Sequence, residues 1–360
     1  MARFLLLTFS LLFSPLLATP RMLHLSFHKG CINDLQEVAR ELGWDLTTWN
    51  PLSSYQSAHR FLGNQTENPM VVYNMTHERA ARIYEKNKEY FASFDCIITS
   101  DTAPLSRIFL QHGWQKPLII WVCNRFNYCV GPGSQNGLDV EYYDLFRAAM
   151  RMPNVKVVSY TPFEHYFAAL YGVDIRGPII KPLGTKRGVC EHSIIPERAQ
   201  KNETIFIYPP FPGCKKEEHD FIVSKCSFLG FKAYSGKYNG PDDLNDFKGV
   251  VYFPYQASNL VFFENIQREI VQFVPSERFI KELIKAGAPI YYWHEPYYCE
   301  WYFGVHRDVI IYFDSWDDLR EKVARTDYAA MRKKIRNFAQ YHRNETLQNW
   351  RDIVRELGVS

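Results

Sequence analysis

Position 264 holds a carboxylate in surroundings that argue against one. In the stretch YQASNLVFFENIQREIVQFVPSERF, residues 255–279, Glu264 follows Val261, Phe262 and Phe263 in a segment apolar enough to be buried. An unsatisfied charge there costs on the order of several kcal/mol, so Glu264 needs either a core Arg or Lys, which would make it structural, or a ligand. The preceding residues favour a ligand. The run VVYFPY, residues 250–255, reads as a strand, Gln256-Ala257 as a turn, and Ser258 as the cap of a helix opening at Asn259, with Phe262, Ile266 and Ile270 on its inward face. Such a helix start offers unpaired N–H groups and partial positive charge to a phosphate or diphosphate. Glu264, less than two turns on, accepts hydrogen bonds and gives none, which suits the vicinal hydroxyls of a ribose. A nucleotide would then lie with its diphosphate on the N–H groups near Ser258 and Asn259 and its sugar on Glu264. Lys237, in the loop SGKYNGPDDL, residues 235–244, follows a strand and is placed to meet a phosphate or a base; as a solvated loop lysine it would be unremarkable.

The elements that must position these residues alternate between short apolar runs and amphipathic helices, the pattern of parallel α/β layers. LHLSF (23–27) reads as a strand, followed by the turn HKG and a helix opening at Asn33, with Gln36 completing its cap and Gly43 closing it. Gly30 in that turn either lets backbone approach a ligand or simply makes the turn. Further strands are FDCIITS (94–100), PLIIWVC (117–123) and VKVVSY (155–160), the last followed by the helix PFEHYFAALYG. Residues 176–204, rich in Gly, Pro and charge, read as a crossing between domains. The rhythm then restarts with IFIYPP (205–210), a helix over 216–226, FKAYS (231–235), VQFVP, a helix capped by Ser276 and closed by Gly287, and DVIIYFD (308–314). From Ser315 the chain is almost wholly helical. The expected organisation is a signal peptide at 1–18, an N-terminal Rossmann-like domain at 19–185, a second at 186–325, and terminal helices at 326–360.

The 360 residues, 46% hydrophobic and 22% charged, describe a globular protein of two ordinary domains. A net charge of +3 with no long basic block implies no nucleic-acid partner. Residues 1–18, MARFLLLTFSLLFSPLLA, have the composition of a cleaved secretory signal, and a membrane partner is expected only if this segment is retained. Sequons at Asn64, Asn74, Asn202 and Asn344 agree with passage through the ER and Golgi lumen. So does the even number of cysteines, eight, with no CxxC pair, which predicts disulfides rather than a zinc site.

The order of elements, together with Gln256 and Glu264 eight positions apart, resembles the GT-B glycosyltransferases, in which two Rossmann-like domains face a cleft and terminal helices pack back across it. The family carries a Glu-x7-Glu motif whose second Glu holds the nucleotide ribose; here the pattern is Gln-x7-Glu. The resemblance spans roughly residues 23–350 and implies transfer of a sugar from a nucleotide-sugar co-substrate to a hydroxyl acceptor on a glycan, protein or small molecule. It also implies a catalytic pair. In the inverting members a His after the first strand removes the acceptor proton and an Asp after a later strand orients it; His28 follows LHLSF and Asp101 follows CIITS. The chemistry is coherent, because an imidazole titrates near neutrality and a carboxylate on its far nitrogen fixes the tautomer. Alternatively His28 caps a turn, and Asp101 caps its own helix through Asp101-Thr102-Ala103-Pro104. No Asp-x-Asp triplet occurs, which fits a mechanism without metal or other cofactor. Two other readings stay open: a nucleotide-sugar epimerase of the same fold, and a secreted, disulfide-bonded binding protein without catalysis.

Overall fold

Short runs of Ile, Val and Leu become strands buried on both faces, as a parallel sheet covered by helices requires. The computed structural model describes residues 19–63, 74–130, 138–185, 204–208, 216–235, 244–245, 247–257, 260–290 and 298–359. In the first half, β1 (Arg21–Ser26), β2 (Asp45–Trp49), β3 (Cys96–Ser100), β4 (Leu118–Val122) and β5 (Val155–Ser159) form a five-stranded parallel sheet in the order β2-β1-β3-β4-β5. In the second half, β6 (Thr204–Ile207), β7 (Lys232–Tyr234), β8 (Gly249–Val251), β9 (Gln272–Pro275) and β10 (Ile311–Phe313) form another, in the order β10-β9-β8-β6-β7. Read from the opposite edge, the second sheet has the same winding as the first. Each therefore reverses direction between its first and third strands, the switch point at which α/β sheets bind ligands beyond their carboxyl ends. Two Rossmann-like halves with helices at the C-terminus make the GT-B arrangement.

Helices α1 (Lys29–Leu42), α2 (Tyr55–Leu62), α3 (His77–Ala92), α4 (Arg107–Leu110), α5 (Val140–Ala149) and α6 (Pro162–Leu170) belong to the first half. Helices α7 (Lys216–Ser227), α8 (Leu260–Gln267), α9 (Glu277–Lys285) and α10 (Trp316–Arg325) belong to the second. Several expected boundaries move for local reasons. Helix α1 opens four residues before Asn33, because His28 caps it with its ring. Strand β8 stops at Val251, three residues short of Pro254, which cannot donate to a ladder. The segment after Asp101 is a 3₁₀ turn over Ala103–Ser106 leading into α4.

The last helix, α11 (Tyr328–Glu356), runs unbroken for 29 residues and is shared by both halves. Met331, Ile335 and Ala339 lie in the core of the second half; Leu347, Trp350, Ile353 and Val354 lie in the first. Trp350 is fully buried edge-on to Trp121 at 5.3 Å and to Trp44 at 6.3 Å. Arg343 adds ion pairs to Glu37 at 3.0 Å and Glu41 at 2.8 Å. The crossing chain is also pinned. Asp34 accepts from the N–H groups of Leu183 at 3.1 Å and Gly184 at 2.8 Å, and Lys181 meets buried Glu300 at 2.9 Å. Gly184 has φ +82, and a Cβ there would fall 2.5 Å from the carbonyl oxygen of Phe263 on α8, so only glycine fits this approach.

The disulfides expected from the cysteine count are not found among the described residues. Cys31, Cys96, Cys123, Cys129, Cys226 and Cys299 are all free, and most are buried like small apolar side chains. Cys190 and Cys214, the segment 1–18 and the sequons at Asn64 and Asn202 lie outside the described residues. Asn74 is half-buried, and Asn344 is exposed on α11. Among the described residues no helix is long and apolar enough to cross a membrane.

Candidate active site between the two sheets

Strand β1 ends at Ser26, and two residues later His28 (φ −99°, ψ 118°) caps α1. Its Nδ1 accepts from the N–H groups of Gly30 at 3.1 Å and Cys31 at 3.3 Å. An imidazole replaces the usual Ser or Asp because it satisfies the same orphan donors at the helix start. Gly30 is glycine for a reason that spans the cleft: a Cβ would lie 2.2 Å from Leu260 Cδ1 at the start of α8. The first turns of α1 and α8 thus touch.

Asp101 follows β3 with φ +71°, a hand that non-glycine residues seldom adopt. The Thr102 N–H bonds to the Ser100 carbonyl at 3.0 Å, closing a tight turn about Asp101 of the rarer, strained hand. Strain of this kind gathers at functional sites, and here it turns Asp101 towards the cleft. Burial pushes its carboxyl up to about 7; the Cys31 sulfur adds to the rise and His28 opposes it. Such a carboxyl gives and takes a proton near neutrality.

Beyond β4 come Cys123, Asn124 and Arg125, and beyond β5 come Tyr160 and Thr161. Arg125 lies over the Phe163 ring at 4.6 Å and meets Glu164 Oε1 at 3.3 Å. Glu164, on α6, is buried, and burial pushes its carboxyl up to about 7 against the pull of Arg125. Its second oxygen, Oε2, is buried without a hydrogen-bond partner among the described residues.

These loops enclose one wall of a cavity of about 380 Å³ lined by His28, Cys31, Asp101, Cys123, Arg125 and Glu164 among others; Tyr255, Gln256, Ala257 and Leu260 form the opposite wall. The first wall comes from the β1/β3 switch point and its neighbours, the second from the loop after β8. A small pocket with several ionisable groups, at a place where both sheets are disposed to bind, is the natural candidate for the active site.

The structure brings together His28, Asp101 and Gln256 of the residues singled out from sequence, with Gly30 immediately behind. Glu264 is half-buried on α8; it does not line the cavity, but its charge is felt at His28 and Asp34. Ser258, Asn259 and Lys237 lie outside the described residues. Ile270, expected on the helix face, falls beyond the end of α8 and is buried there. The expected catalytic pair is arranged differently. The far nitrogen of His28 receives two backbone N–H groups, so it does not receive Asp101. The Cys31 sulfur, through a hydrogen bond, and then the charges of Cys31, Asp101 and Glu264 draw the ring towards protonation, up to about 9, with burial opposing. A proton on Nδ1 would face two N–H donors, so the capping geometry describes a neutral ring with its proton on Nε2; protonation requires the cap to let go.

Cys31, Cys123, Arg125, Tyr160 and Glu164 were not singled out from sequence. Arg125 and Glu164 are brought together from sites 39 residues apart, and no local pattern marks them. Trp44 and Trp49 pack into cores, Trp49 against Phe61 at 5.2 Å. Tyr55 is exposed, and none of the three lines the cavity.

No family model matches the chain, and no curated protein matches it in sequence. Among solved structures it is similar to the glycosyltransferase SnogD from Streptomyces nogalater, at 11% identity over 94% of this chain and 100% of that one, with a TM-score of 0.47. It is also similar to the spinosyn forosaminyltransferase SpnP, at 8% identity over 93% and 99% of the two chains, with a TM-score of 0.49. A protein assigned as a UDP-N-acetylglucosamine 2-epimerase from Listeria monocytogenes is similar at 10% identity over 92% and 94%, with a TM-score of 0.45. These likenesses are too slight to carry a reaction, a substrate or a residue's role to this chain.

Proposed function

We propose that the chain is a glycosyltransferase of the secretory pathway that moves a sugar from a nucleotide-sugar donor to a hydroxyl acceptor without a metal. The observation that carries this reading is a cavity, among the described residues, on which the switch point of the first sheet and the β8 loop of the second converge. The donor lies on the second wall, its diphosphate towards the start of α8, where backbone N–H groups and the helix dipole meet its charge. The acceptor lies on the first wall. Asp101, ionised, takes the proton from the acceptor hydroxyl as that oxygen attacks the anomeric carbon and the nucleoside diphosphate leaves, which inverts the configuration at that carbon. Asp101 replaces His28 in the role of base because its carboxyl faces the cavity with a suitable proton affinity, while the Nδ1 of His28 is held by the helix it caps. The orphan oxygen of Glu164 accepts a hydrogen bond from a second polar group of the acceptor, which selects acceptors that carry one.

That same cap supports a second reading, a binding protein of this fold without catalysis. A thermal-shift series with nucleoside diphosphates and their sugars, followed by assays for transfer and hydrolysis, separates the two. A ligand at 100 times its Kd stabilises by about 2.7 kcal/mol. Stabilisation with turnover supports the transferase, and stabilisation without turnover across a broad acceptor panel supports the binding protein. No stabilisation by any nucleotide overturns both.

A further inference from the structure

Two free thiols, Cys31 and Cys123, line the cavity and share a hydrogen bond. They come from different elements, Cys31 from the first turn of α1 and Cys123 from the loop directly after β4. Nothing in the proposed glycosyl transfer uses either. Their surroundings differ in a way that divides labour between them. Cys31 sits at the positive end of a 14-residue helix, beside His28, and receives a hydrogen bond from Cys123. All three stabilise a thiolate. Cys123 is half-buried, and the N–H of strained Asp101 points at its sulfur. The other four described cysteines are buried away from the cavity.

We propose that Cys31 and Cys123 form a thiol–disulfide exchange site, with Cys31 the attacking and Cys123 the resolving thiol, for a low-molecular-weight disulfide admitted by the cavity. The Cys31 thiolate attacks one sulfur of the disulfide, forming a mixed disulfide and expelling one thiolate. The Cys123 thiol, losing its proton to the nearby base or to water, then attacks the Cys31 sulfur, forming the Cys31–Cys123 disulfide and expelling the second thiolate. Two protein thiols are oxidised and one small disulfide is reduced to two thiols, so atoms and electrons balance. The thiolate character fits these roles: the hydrogen bond from Cys123 leads in holding the Cys31 thiol down to about 6 against its burial, whereas burial raises Cys123. The site shares the cavity of the proposed transferase but does not depend on that reading.

The test uses the whole chain, reduced and freed of reductant, with glutathione disulfide as probe and mass spectrometry of each cysteine peptide. The wild type is expected to yield the Cys31–Cys123 disulfide without a lasting adduct. Cys123→Ser should retain glutathione on Cys31, and Cys31→Ser should leave Cys123 unmodified. A measurement needing no variant accompanies these. Iodoacetamide at pH 7 should modify Cys31 at least about tenfold faster than Cys96, Cys226 or Cys299, with a rate half-maximal near pH 6. Cys31 reacting no faster than those three, or keeping glutathione in the wild type without linking to Cys123, overturns the proposal. No sugar nucleotide enters the test, so its failure leaves the transferase reading standing.

Discussion

The two halves wind their strands in the same order and put different chemistry at the same place. Around the cavity the first half supplies ionisable groups, namely His28, Cys31, Asp101, Cys123, Arg125 and Glu164; the second supplies Tyr255, Gln256, Ala257 and Leu260, none of them charged. The first sheet has strands of five or six residues, the second of three or four. Longer strands hold the loops at their ends more firmly, and reacting groups need that firmness more than groups that merely grip a ligand. A shared topology therefore sets where a pocket forms, and the loop residues set what chemistry each half offers there.

The sharpest way to break this division is Asp101→Asn. Asparagine tolerates positive φ, so the fold should persist, while turnover falls by about 10² to 10⁴ with nucleotide affinity unchanged. A base must be ionised, and burial raises the Asp101 carboxyl to about 7, so wild-type turnover should climb as pH rises through 7 and the variant should lose that limb. His28→Ala removes a helix cap, should cost about 1 kcal/mol of stability, and should slow turnover less than Asp101→Asn does. The reverse ranking in steady-state assays would return the role of base to His28.

Glu264→Gln tests the other wall. Nucleotide binding by calorimetry should weaken by about 1.5 to 3 kcal/mol, the worth of hydrogen bonds to a charged group, with folding largely intact. A variant that binds as before but turns over slowly would mean that the second half also takes part in the chemistry. Gly30→Ala probes the seam between the walls and has the smallest expected effect. Its Cβ would meet the mobile end of Leu260, so denaturant unfolding should show a loss of about 1 to 2 kcal/mol. Adding Leu260→Ala should cancel part of that loss, and strict additivity would show that the two residues do not touch.

Fold class was legible because continuous Ile- and Val-rich runs at α/β spacing leave few alternatives, and CIITS and PLIIWVC became adjacent buried strands. The strand DLTTW was not, since it lies at the sheet edge with alternating residues exposed. The position of His28 and Asp101 at the cavity followed from the rule that loops beyond strand ends meet at the switch point. Their mutual geometry did not, because it turns on a ring nitrogen choosing a helix start and on a backbone turn of unusual hand, neither of which has a sequence signature. The thiol pair is hidden by arithmetic: an even cysteine count behind a signal-like segment predicts disulfides, whereas the six described cysteines are free and two of them meet only through the fold.

One consequence of α11 concerns how the molecule comes apart. At 1.5 Å per residue a helix of 29 residues is about 43 Å long, and its two ends are seated in different cores. Neither core can be dissolved without baring half of that helix: Trp350 and Ile353 on one side, Met331 and Ile335 on the other. Each half thereby draws part of its resistance to melting from its neighbour, and two sheets that share no strand should denature in one calorimetric step.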